Sequence, residues 1–225
     1  MITHKKLWMI VEFVAFNVII FCICGNSWIW SHIMCLILPF VPYLYRKETR
    51  SIRIIFKEMG LTSHKLCMQI ILGLGVIFIP LSIGFIVFYL CSMIFPNDYK
   101  FIFHLFPSSQ RSFDQIVYIA LSQLFISVTE ELFFRFYYDF RLSEIVSIKW
   151  IQLFIAAFIF ALPHTEMSSG ILPFILGGLN TFSANFMNGY LKYRIKNYTI
   201  ISCIIQHIIS NYIILFVYYV SLQVL

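Results

Sequence analysis

Charged residues are scarce in this sequence. Of its 225 residues, only 12% are Asp, Glu, Lys or Arg, about half of the roughly 25% that soluble domains carry. So little charge cannot cover a water-facing surface, which excludes a soluble globular protein, a disordered chain and a nucleic-acid binder with a basic groove. Hydrophobic residues make up 60% of the chain, and its mean hydropathy is +0.87. The class that remains is an integral membrane protein.

The chain also lacks the alternation of apolar and polar residues that a membrane β-barrel needs. Its apolar stretches instead approach the length of membrane-crossing helices, about 20 residues each. We therefore predict an all-α, polytopic transmembrane bundle of about seven spans, forming one membrane domain over residues 1–225. A further amphipathic helix at the membrane interface is predicted over Arg50–Gly60, where apolar and basic residues are mixed. The predicted spans are Leu7–Ile23, Trp28–Leu44, Leu66–Phe95, Phe113–Tyr137, Trp150–Pro163, Ile171–Leu191 and Thr199–Val224.

Basic residues are concentrated in alternate predicted loops, and the loops between these hold few of them. If the seven spans alternate in direction, the basic clusters within residues 5–6, 46–65, 135–149 and 192–196 lie on one side of the membrane. Because short loops rich in Lys and Arg stay in the cytoplasm, we predict a cytoplasmic N-terminus. The abundance of Ile, Lys, Asn and Phe is typical of an AT-rich genome, so we expect a multi-pass protein of a bacterial cell membrane.

Signatures of several hydrolytic sites are missing. The six cysteines include no C-x-x-C pair and all lie in or beside apolar runs, so we interpret them as small hydrophobic residues. The chain has no H-E-x-x-H of a zinc helix, no G-x-S-G around a serine nucleophile and no G-x-G-D of an aspartyl site. A hydrolase built on this sequence would need another arrangement.

Six polar side chains stand within or at the ends of three apolar spans. An ionisable group at the centre of a span costs about 2.5–3.5 kcal/mol, so a helix bundle turns such groups inward. We therefore expect these side chains to converge on one interior cavity. They are Glu130, Glu131 and Arg135 in the fourth span, His164 at the end of the fifth, and His207 and Asn211 in the seventh.

The spacing of these residues favours particular pairs. Glu131 and Arg135 are one helical turn apart and can pair. His207 and Asn211 are also one turn apart and form one polar stripe. Gln123 lies on the same helix face as Glu130. A glutamate beside histidines, away from bulk water, can activate a water molecule for peptide hydrolysis. Two simpler interpretations stay open: a solvated cap at the headgroups for the fourth-span charges, and interhelical hydrogen bonds for the seventh-span pair.

The three groups resemble the motifs of a known family of intramembrane proteases. In order they read E-E-x-x-x-R over Glu130–Arg135, F-x-x-x-H over Phe160–His164 and H-x-x-x-N over His207–Asn211. This is similar to the CPBP family (CAAX protease and bacteriocin-processing), also called the Abi family. The resemblance covers residues 115–215, which form the expected catalytic core.

The family also has an F-x-x-G stretch between the second and third motifs, and two placements compete for it. Phe174–Gly177 fits the pattern literally. Phe182–Asn185, followed by Gly189, fits the position better but has Asn where Gly is usual. The departure leaves open how the sixth span packs.

The resemblance implies a role for each motif residue. It implies that Glu130 activates water with help from His164, that His207 and Asn211 bind the oxyanion, and that Glu131 and Arg135 order the site. Members are often called metalloproteases, and Glu130, His164 and His207 are a ligand set of the type and number that zinc accepts. The sequence does not decide between a zinc mechanism and metal-free, glutamate-activated water.

The expected function is therefore an intramembrane endopeptidase. Its expected partners are the lipid bilayer and a membrane-associated peptide or protein substrate, such as a CAAX tail, a bacteriocin, a leader or a signalling peptide, with no nucleic acid. Some family members confer self-immunity to bacteriocins. The alternative is a non-catalytic membrane scaffold or immunity protein that binds a partner membrane protein. A small transporter ranks last because no internal repeat is present.

One expectation conflicts with simple alternation of the spans. Glu130 and His207 fall in the cytoplasmic half of the membrane, about 10–12 Å from that face at 1.5 Å per helical residue. His164 ends its span near the opposite face. It can reach the site only if the fifth span starts later, is tilted or is broken.

Overall fold

The structure is a computed structural model that describes residues 4–24, 27–45, 52–58, 60–61, 64–94, 113–164 and 171–224. Every regular element in these ranges is helical, which confirms the predicted all-α bundle. The α-helices are α1 His4–Val18, α2 Trp28–Ile37, α3 Val41–Tyr45, α4 Ile52–Glu58, α5 Leu66–Gly75, α6 Phe78–Ile94, α7 Phe113–Glu131, α8 Tyr138–Ile145, α9 Lys149–Ala161, α10 Ile171–Arg194 and α11 Ile200–Val224. Short π or 3-10 turns extend four of them: Ile19–Ile23, Leu38–Phe40, Leu132–Tyr137 and Leu162–His164.

Helices occupy all seven stretches that were predicted to span the membrane. Within the described part of the chain, three continuous helical segments are long and apolar enough to cross a bilayer, and several shorter apolar helices accompany them. Large apolar side chains such as Ile71, Phe78 and Leu121 are exposed, as expected for a surface in contact with lipid. The long segments are His4–Ile23, Leu66–Val87 and Val117–Ile145, and the shorter ones Ile29–Leu44, Lys149–His164 and Ile200–Phe216.

The described part of the predicted interfacial helix is also helical. It forms α4, in which Ile54 and Phe56 are exposed and Ile55 is half-buried against the bundle. Its position at the membrane interface stays a prediction.

The core lies around the segment that follows α7. Here the chain winds as a π-helix over Leu132–Tyr137, and each of these residues is buried. A π-helix hydrogen-bonds residues five apart and turns less per residue than an α-helix, which changes the faces that the following residues present. Phe133 and Tyr137 stack at 5.3 Å between ring centroids, and Phe16 of α1 packs on Tyr137 at 5.2 Å.

A buried ion pair fastens α1 to α8. Both nitrogens of one edge of the Arg141 guanidinium donate to the Glu12 carboxylate, at 2.7 and 2.5 Å, and the Tyr137 hydroxyl donates to it at 3.0 Å. Arg141 also donates to Glu144 at 2.6 Å. The single acidic residue of the first span therefore has a structural partner within the bundle.

Polar contacts and small residues fix α11, which carries the third motif. The Thr199 hydroxyl donates to the Gln69 side chain at 2.5 Å, and the Ser202 hydroxyl donates to the Gln69 carbonyl at 2.8 Å. A Cβ added at Gly73 of α5 would lie 2.7 Å from the Ser202 carbonyl oxygen, so glycine permits this close approach. In the loop before α11, burial raises the pKa of the Tyr198 phenol well above its usual range, which keeps its hydroxyl a neutral donor to Asn188.

Candidate functional site

A cavity of about 780 Å³ lies inside the bundle. All six residues singled out from the sequence line it: Glu130, Glu131, Arg135, His164, His207 and Asn211. Its wall is made of α2, α6, α7, the π-helical segment, the end of α9, α10 and α11. The structure therefore brings together the six side chains that the sequence places far apart.

The solvated-cap interpretation of the fourth-span charges is wrong. Glu130, Glu131 and Arg135 have exposed fractions of only 8%, 3% and 1%. Their burial follows from the position of α7 and the π-helical segment, which pack against α2, α8 and α11 at this point. Charges removed from water need partners inside the protein.

His207 stands between the two glutamates. Its Nδ1 lies 2.9 Å from Glu131 Oε1, and its Nε2 lies 3.7 Å from Glu130 Oε2. A carboxylate accepts hydrogen bonds, so Nδ1 is the donor to Glu131 and Nε2 is the nitrogen on the Glu130 side. Glu131 thus orients the imidazole, in the way that a buried carboxylate orients a catalytic histidine.

Arg135 anchors Glu131 from the other side. Its Nε lies 3.4 Å from Glu131 Oε2, one helical turn away as the spacing predicts. The guanidinium also donates from Nη1 to the Asn185 side-chain oxygen at 2.9 Å and from Nη2 to the Asn185 backbone carbonyl. Lys192 donates to the Arg135 carbonyl at 2.6 Å. A chain of contacts therefore runs from α10 through Arg135 and Glu131 to His207.

The position of Asn185 bears on the F-x-x-G stretch. In the placement over Phe182–Asn185, Asn185 stands at the position of the usual Gly, and its side-chain oxygen accepts a hydrogen bond from Arg135. Gly189, one turn later, lies where an added Cβ would be 3.2 Å from Arg135 Nη1. The other candidate glycine, Gly177, faces the His164 carbonyl oxygen, which would be 2.6 Å from an added Cβ. Both placements therefore contact motif residues.

Asn211 reaches α7 as its helix face predicts. Its amide nitrogen donates to Gln123 Oε1 at 3.0 Å and to Ser127 Oγ at 3.3 Å. These are the two residues that share a helix face with Glu130. The interhelical hydrogen bonds expected as the simpler interpretation are thus present, and they join residues of the cavity wall.

His164 reaches the cavity because its helix is short. Helix α9 has 13 residues and is about 20 Å long at 1.5 Å per residue, less than the roughly 30 Å of a bilayer core. The 3-10 turn after it carries His164 into the wall of the cavity. The His164 ring packs on Phe160 at 4.8 Å, and Phe160 lies 6.4 Å from the His207 ring. His164 therefore lies in the wall of the same cavity as Glu130, whereas its depth in the membrane stays a prediction.

The proposed zinc ligands are not arranged as a ligand group in this structure. Within the ranges that the structure describes, no three His, Cys, Asp or Glu side chains are grouped so that they could hold a metal ion. His207 directs Nδ1 to Glu131, and His164 directs Nδ1 to the Phe160 carbonyl at 2.9 Å. These Nδ1 contacts leave Nε2 of each ring for another partner, as in histidines that bind metals, so zinc at Glu130, His164 and His207 stays an untested prediction.

The sequence analysis missed several residues of the site. His32 of α2 lines the cavity and contacts the Thr129 hydroxyl at 3.2 Å. On α10 the wall is rich in amides, where Asn188 donates to Gln206 of α11 at 2.5 Å. The available signal was a polar residue inside an apolar helix, the same signal that found His207, but no motif drew attention to these positions.

Comparison with known proteins gives one match. Residues 112–213 match the family model described as Type II CAAX prenyl endopeptidase Rce1-like. The matched range contains all six motif side chains of the cavity, and the finding confirms the resemblance to the CPBP family drawn from the motifs. The chain matches no curated protein and no solved structure.

Proposed function

Because residues 112–213 form an Rce1-like domain, of a family of CAAX-type intramembrane proteases, we propose that this protein hydrolyses peptide bonds of membrane-associated peptides or protein tails with a glutamate-activated water. The observation that carries the proposal is the pair of buried glutamates on either side of His207, at 2.9 and 3.7 Å. The fold and the apolar helices make the protein an integral membrane protein.

Glu130 is the proposed general base. It lines the cavity, and its nearest ion-pair partner is His207 at 3.7 Å, whereas Glu131 is held by both His207 and Arg135. The water oxygen attacks the carbonyl carbon while Glu130 takes one proton from the water. When the tetrahedral intermediate collapses, the C–N bond breaks and Glu130 returns the proton to the leaving nitrogen.

Donors on α11 would receive the negative oxygen of the intermediate. His207 Nε2 lies on the cavity side, because Nδ1 is bonded to Glu131. As an oxyanion donor it carries a proton on Nε2. Asn211, one turn later, is the proposed second donor: its amide nitrogen donates to Gln123 and Ser127, and it would exchange the longer of these bonds, 3.3 Å to Ser127, for a bond to the oxyanion. A buried, pre-oriented donor of this kind is worth roughly 10²–10³ in rate.

His164 is the proposed helper of Glu130. Its Nδ1 is bound to the Phe160 carbonyl, so the neutral ring offers Nε2 as an acceptor for a water hydrogen. The ring is also solvent-accessible at the end of its 3-10 turn, which suits a residue that meets substrate and water. No step of this scheme uses a metal.

Charge distribution supports the proposed orientation in the membrane. Lys149 and Lys192 both pair with Asp139, at 3.8 and 2.9 Å, so the loops after α8 and after α10 share one end of the bundle. Gly60 lies against Thr199 and Ile200, which places the second loop at the same end. Since basic loops stay in the cytoplasm, we place this end and the N-terminus there, in a bacterial cell membrane. Bacteriocin self-immunity is a proposed use of the same proteolytic activity.

Substitution of the proposed base tests the function. Purified protein in lipid nanodiscs is incubated with a farnesylated CAAX peptide and with an unmodified leader-type peptide, and the products are identified by mass spectrometry. Glu130→Gln should lower kcat by at least about 10²-fold, whereas Glu58→Gln, at an exposed glutamate of α4, should not change it. Equal cleavage by Glu130→Gln and wild type would refute the mechanism. Binding of a partner membrane protein by Glu130→Gln, with no product from wild type, would favour the scaffold.

A further inference from the structure

Six aromatic rings form a continuous row along the contact between α9 and α10. Neighbouring rings in this row lie 5.3–6.3 Å apart between their centroids. In order along the row they are Phe158, Phe154, Phe182, Phe186, Trp150 and Tyr190. None of these six rings belongs to the wall of the cavity, so the proposed peptidase mechanism assigns no role to the row, which we call the aromatic seam.

The aromatic seam is open to the surroundings of the bundle. Trp150, Phe154 and Phe158 recur every four residues of α9, which places them on one helix face, and their exposed fractions are 52%, 54% and 50%. In a membrane such a face meets acyl chains. Trp150 and Tyr190 form one end of the seam, and these two residue types are the aromatic ones that membrane proteins place at the level of the lipid headgroups.

Two cations lie at the end of the seam that Trp150 and Tyr190 form. The guanidinium carbon of Arg194 is 5.7 Å from the ring centroids of Tyr190 and Tyr193. The Nζ of Lys149 is 5.7 Å from the centroid of the same Tyr193 ring. A cation over an aromatic ring is attracted to it, so the two positive charges are held side by side at this end of the seam.

Carboxylates neutralise only part of this charge. The Nζ of Lys149 is 3.8 Å from Asp139, and the same carboxylate lies closer to Lys192, at 2.9 Å. Arg194 is exposed, and among the described residues no carboxylate pairs with it. This end of the seam therefore has an excess of positive charge next to an apolar surface, which is complementary to a ligand with a negative head and an apolar chain.

We propose that this surface binds an anionic phospholipid, whose phosphate contacts Arg194 and Lys149 while an acyl chain lies along the aromatic seam. Basic pockets between transmembrane helices bind headgroups in this way on the cytoplasmic side, where we place this end of the bundle. A zwitterionic lipid brings its own cation next to the two side chains, so it is the weaker ligand. A second copy of the chain is disfavoured, because a symmetric dimer in a membrane places identical residues at one depth and brings the two sets of cations together.

The proposed lipid site lies on the opposite side of α10 from the contacts with Arg135. Asn185 accepts a hydrogen bond from Arg135, and a Cβ added at Gly189 would lie 3.2 Å from the same guanidinium. These two residues directly precede Phe186 and Tyr190 of the seam. A bound lipid stabilises the folded protein and would do so at the part of α10 that contacts Arg135.

Quenching of Trp150 fluorescence by brominated lipid measures the binding. Trp8, Trp28 and Trp30 are replaced with Phe, which leaves Trp150 as the single tryptophan. The protein is placed in phosphatidylcholine nanodiscs that contain a small fraction of either dibromo-phosphatidylglycerol or dibromo-phosphatidylcholine. We expect phosphatidylglycerol to bind beside Trp150 at least about threefold more tightly than phosphatidylcholine.

Substitutions of the two cations test whether they cause this preference. Lys149→Gln combined with Arg194→Gln should reduce the ratio of the two affinities to about one, and Arg194→Gln alone, which keeps the ion pair of Lys149, should reduce it at least in part. The matched control combines Lys57→Gln with Lys65→Gln, which removes the same charge from exposed side chains at the same end of the bundle and should keep the preference. Equal affinities in wild type, an equal loss in the control, or no quenching by either lipid, as when a protein covers the tryptophan, would overturn the proposal.

Thermal unfolding is a second measurement, which needs neither the probe nor cleavage. Phosphatidylglycerol added to the wild-type protein in detergent should raise Tm by at least about 2 °C, and the variant without both cations should show less than half of this shift. Equal shifts in the two proteins would overturn the proposal. Because neither measurement uses a peptide, failure of the lipid site and failure of the peptidase function are separate results.

Discussion

Replacing Asn185 with Ala should loosen Arg135 while leaving every motif residue in place. The substitution removes the acceptor of the 2.9 Å bond from Arg135 Nη1, but the backbone carbonyl of residue 185 can still accept from Nη2. A hydrogen bond to a charged group contributes about 1.5–3 kcal/mol. Alanine returns roughly 0.5 kcal/mol of helix propensity. The expected net loss of stability is therefore about 1–2.5 kcal/mol.

The loss should be visible both in unfolding and in catalysis. For a chain of this size, about 2 kcal/mol lowers Tm by roughly 4–8 °C, which thermal unfolding in detergent can measure. Because Arg135 is an anchor of Glu131 and Glu131 orients His207, kcat should also fall by about tenfold. Ser183→Ala, two residues earlier on α10 and half-buried, is the control. If Asn185→Ala and Ser183→Ala have the same Tm and the same kcat, the contacts from α10 through Arg135 and Glu131 do not position His207.

Substitutions at three glycines give further predictions: two rest on a close contact of the added Cβ, and the third is a control with open space around it. Gly73→Ala should destabilise the protein by about 1–3 kcal/mol, because the new Cβ would lie 2.7 Å from the Ser202 carbonyl. Gly75→Ala meets nothing within 4 Å and should leave stability unchanged or slightly raised in the same unfolding assay. Gly177→Ala should lower kcat more than it lowers Tm, because its Cβ would displace the His164 carbonyl, 2.6 Å away. A drop in Tm without loss of kcat would contradict the last prediction.

Relations within one helix were the part of the site that sequence spacing could predict. Helical periodicity alone places Glu131 beside Arg135 and puts Gln123, Ser127 and Glu130 on one face, and the structure shows both. The cost of burying charge in a membrane then required that these faces turn inward. The all-α bundle followed from the length of the apolar stretches and from their lack of alternation.

Contacts between helices could not be predicted in this way. Asn185 was noticed only as a departure from a glycine, because nothing in the sequence says that α10 passes Arg135. His32 lies far from the motifs in sequence, and its pairing with Thr129 depends on how α2 packs against α7. That His164 meets the cavity depends on how α9 and the 3-10 turn after it pack against the other helices.

Two ionic clusters lie near the two ends of the π-helical segment. They differ in how many of their polar atoms make hydrogen bonds. In the Glu12–Arg141 cluster the guanidinium and both carboxylate oxygens have hydrogen bonds of 2.5–3.0 Å. In the cavity, Glu131 Oε2 and Arg135 Nε are buried at 3.4 Å from each other, and among the described residues neither makes a hydrogen bond.

Complete hydrogen bonding suits the structural role of the Glu12–Arg141 cluster, and incomplete hydrogen bonding suits the proposed catalytic role of the cavity. An under-satisfied carboxylate is costly to bury, so it persists only where the rest of the fold compensates. The Glu12–Arg141 pair supplies such compensation by fixing α8 at the end of the same π-helical segment. The unfavourable free energy of burying Glu131 and Arg135 with incomplete hydrogen bonds is then confined to the proposed binding place of substrate and water. Functional sites often depart from ideal packing in this way.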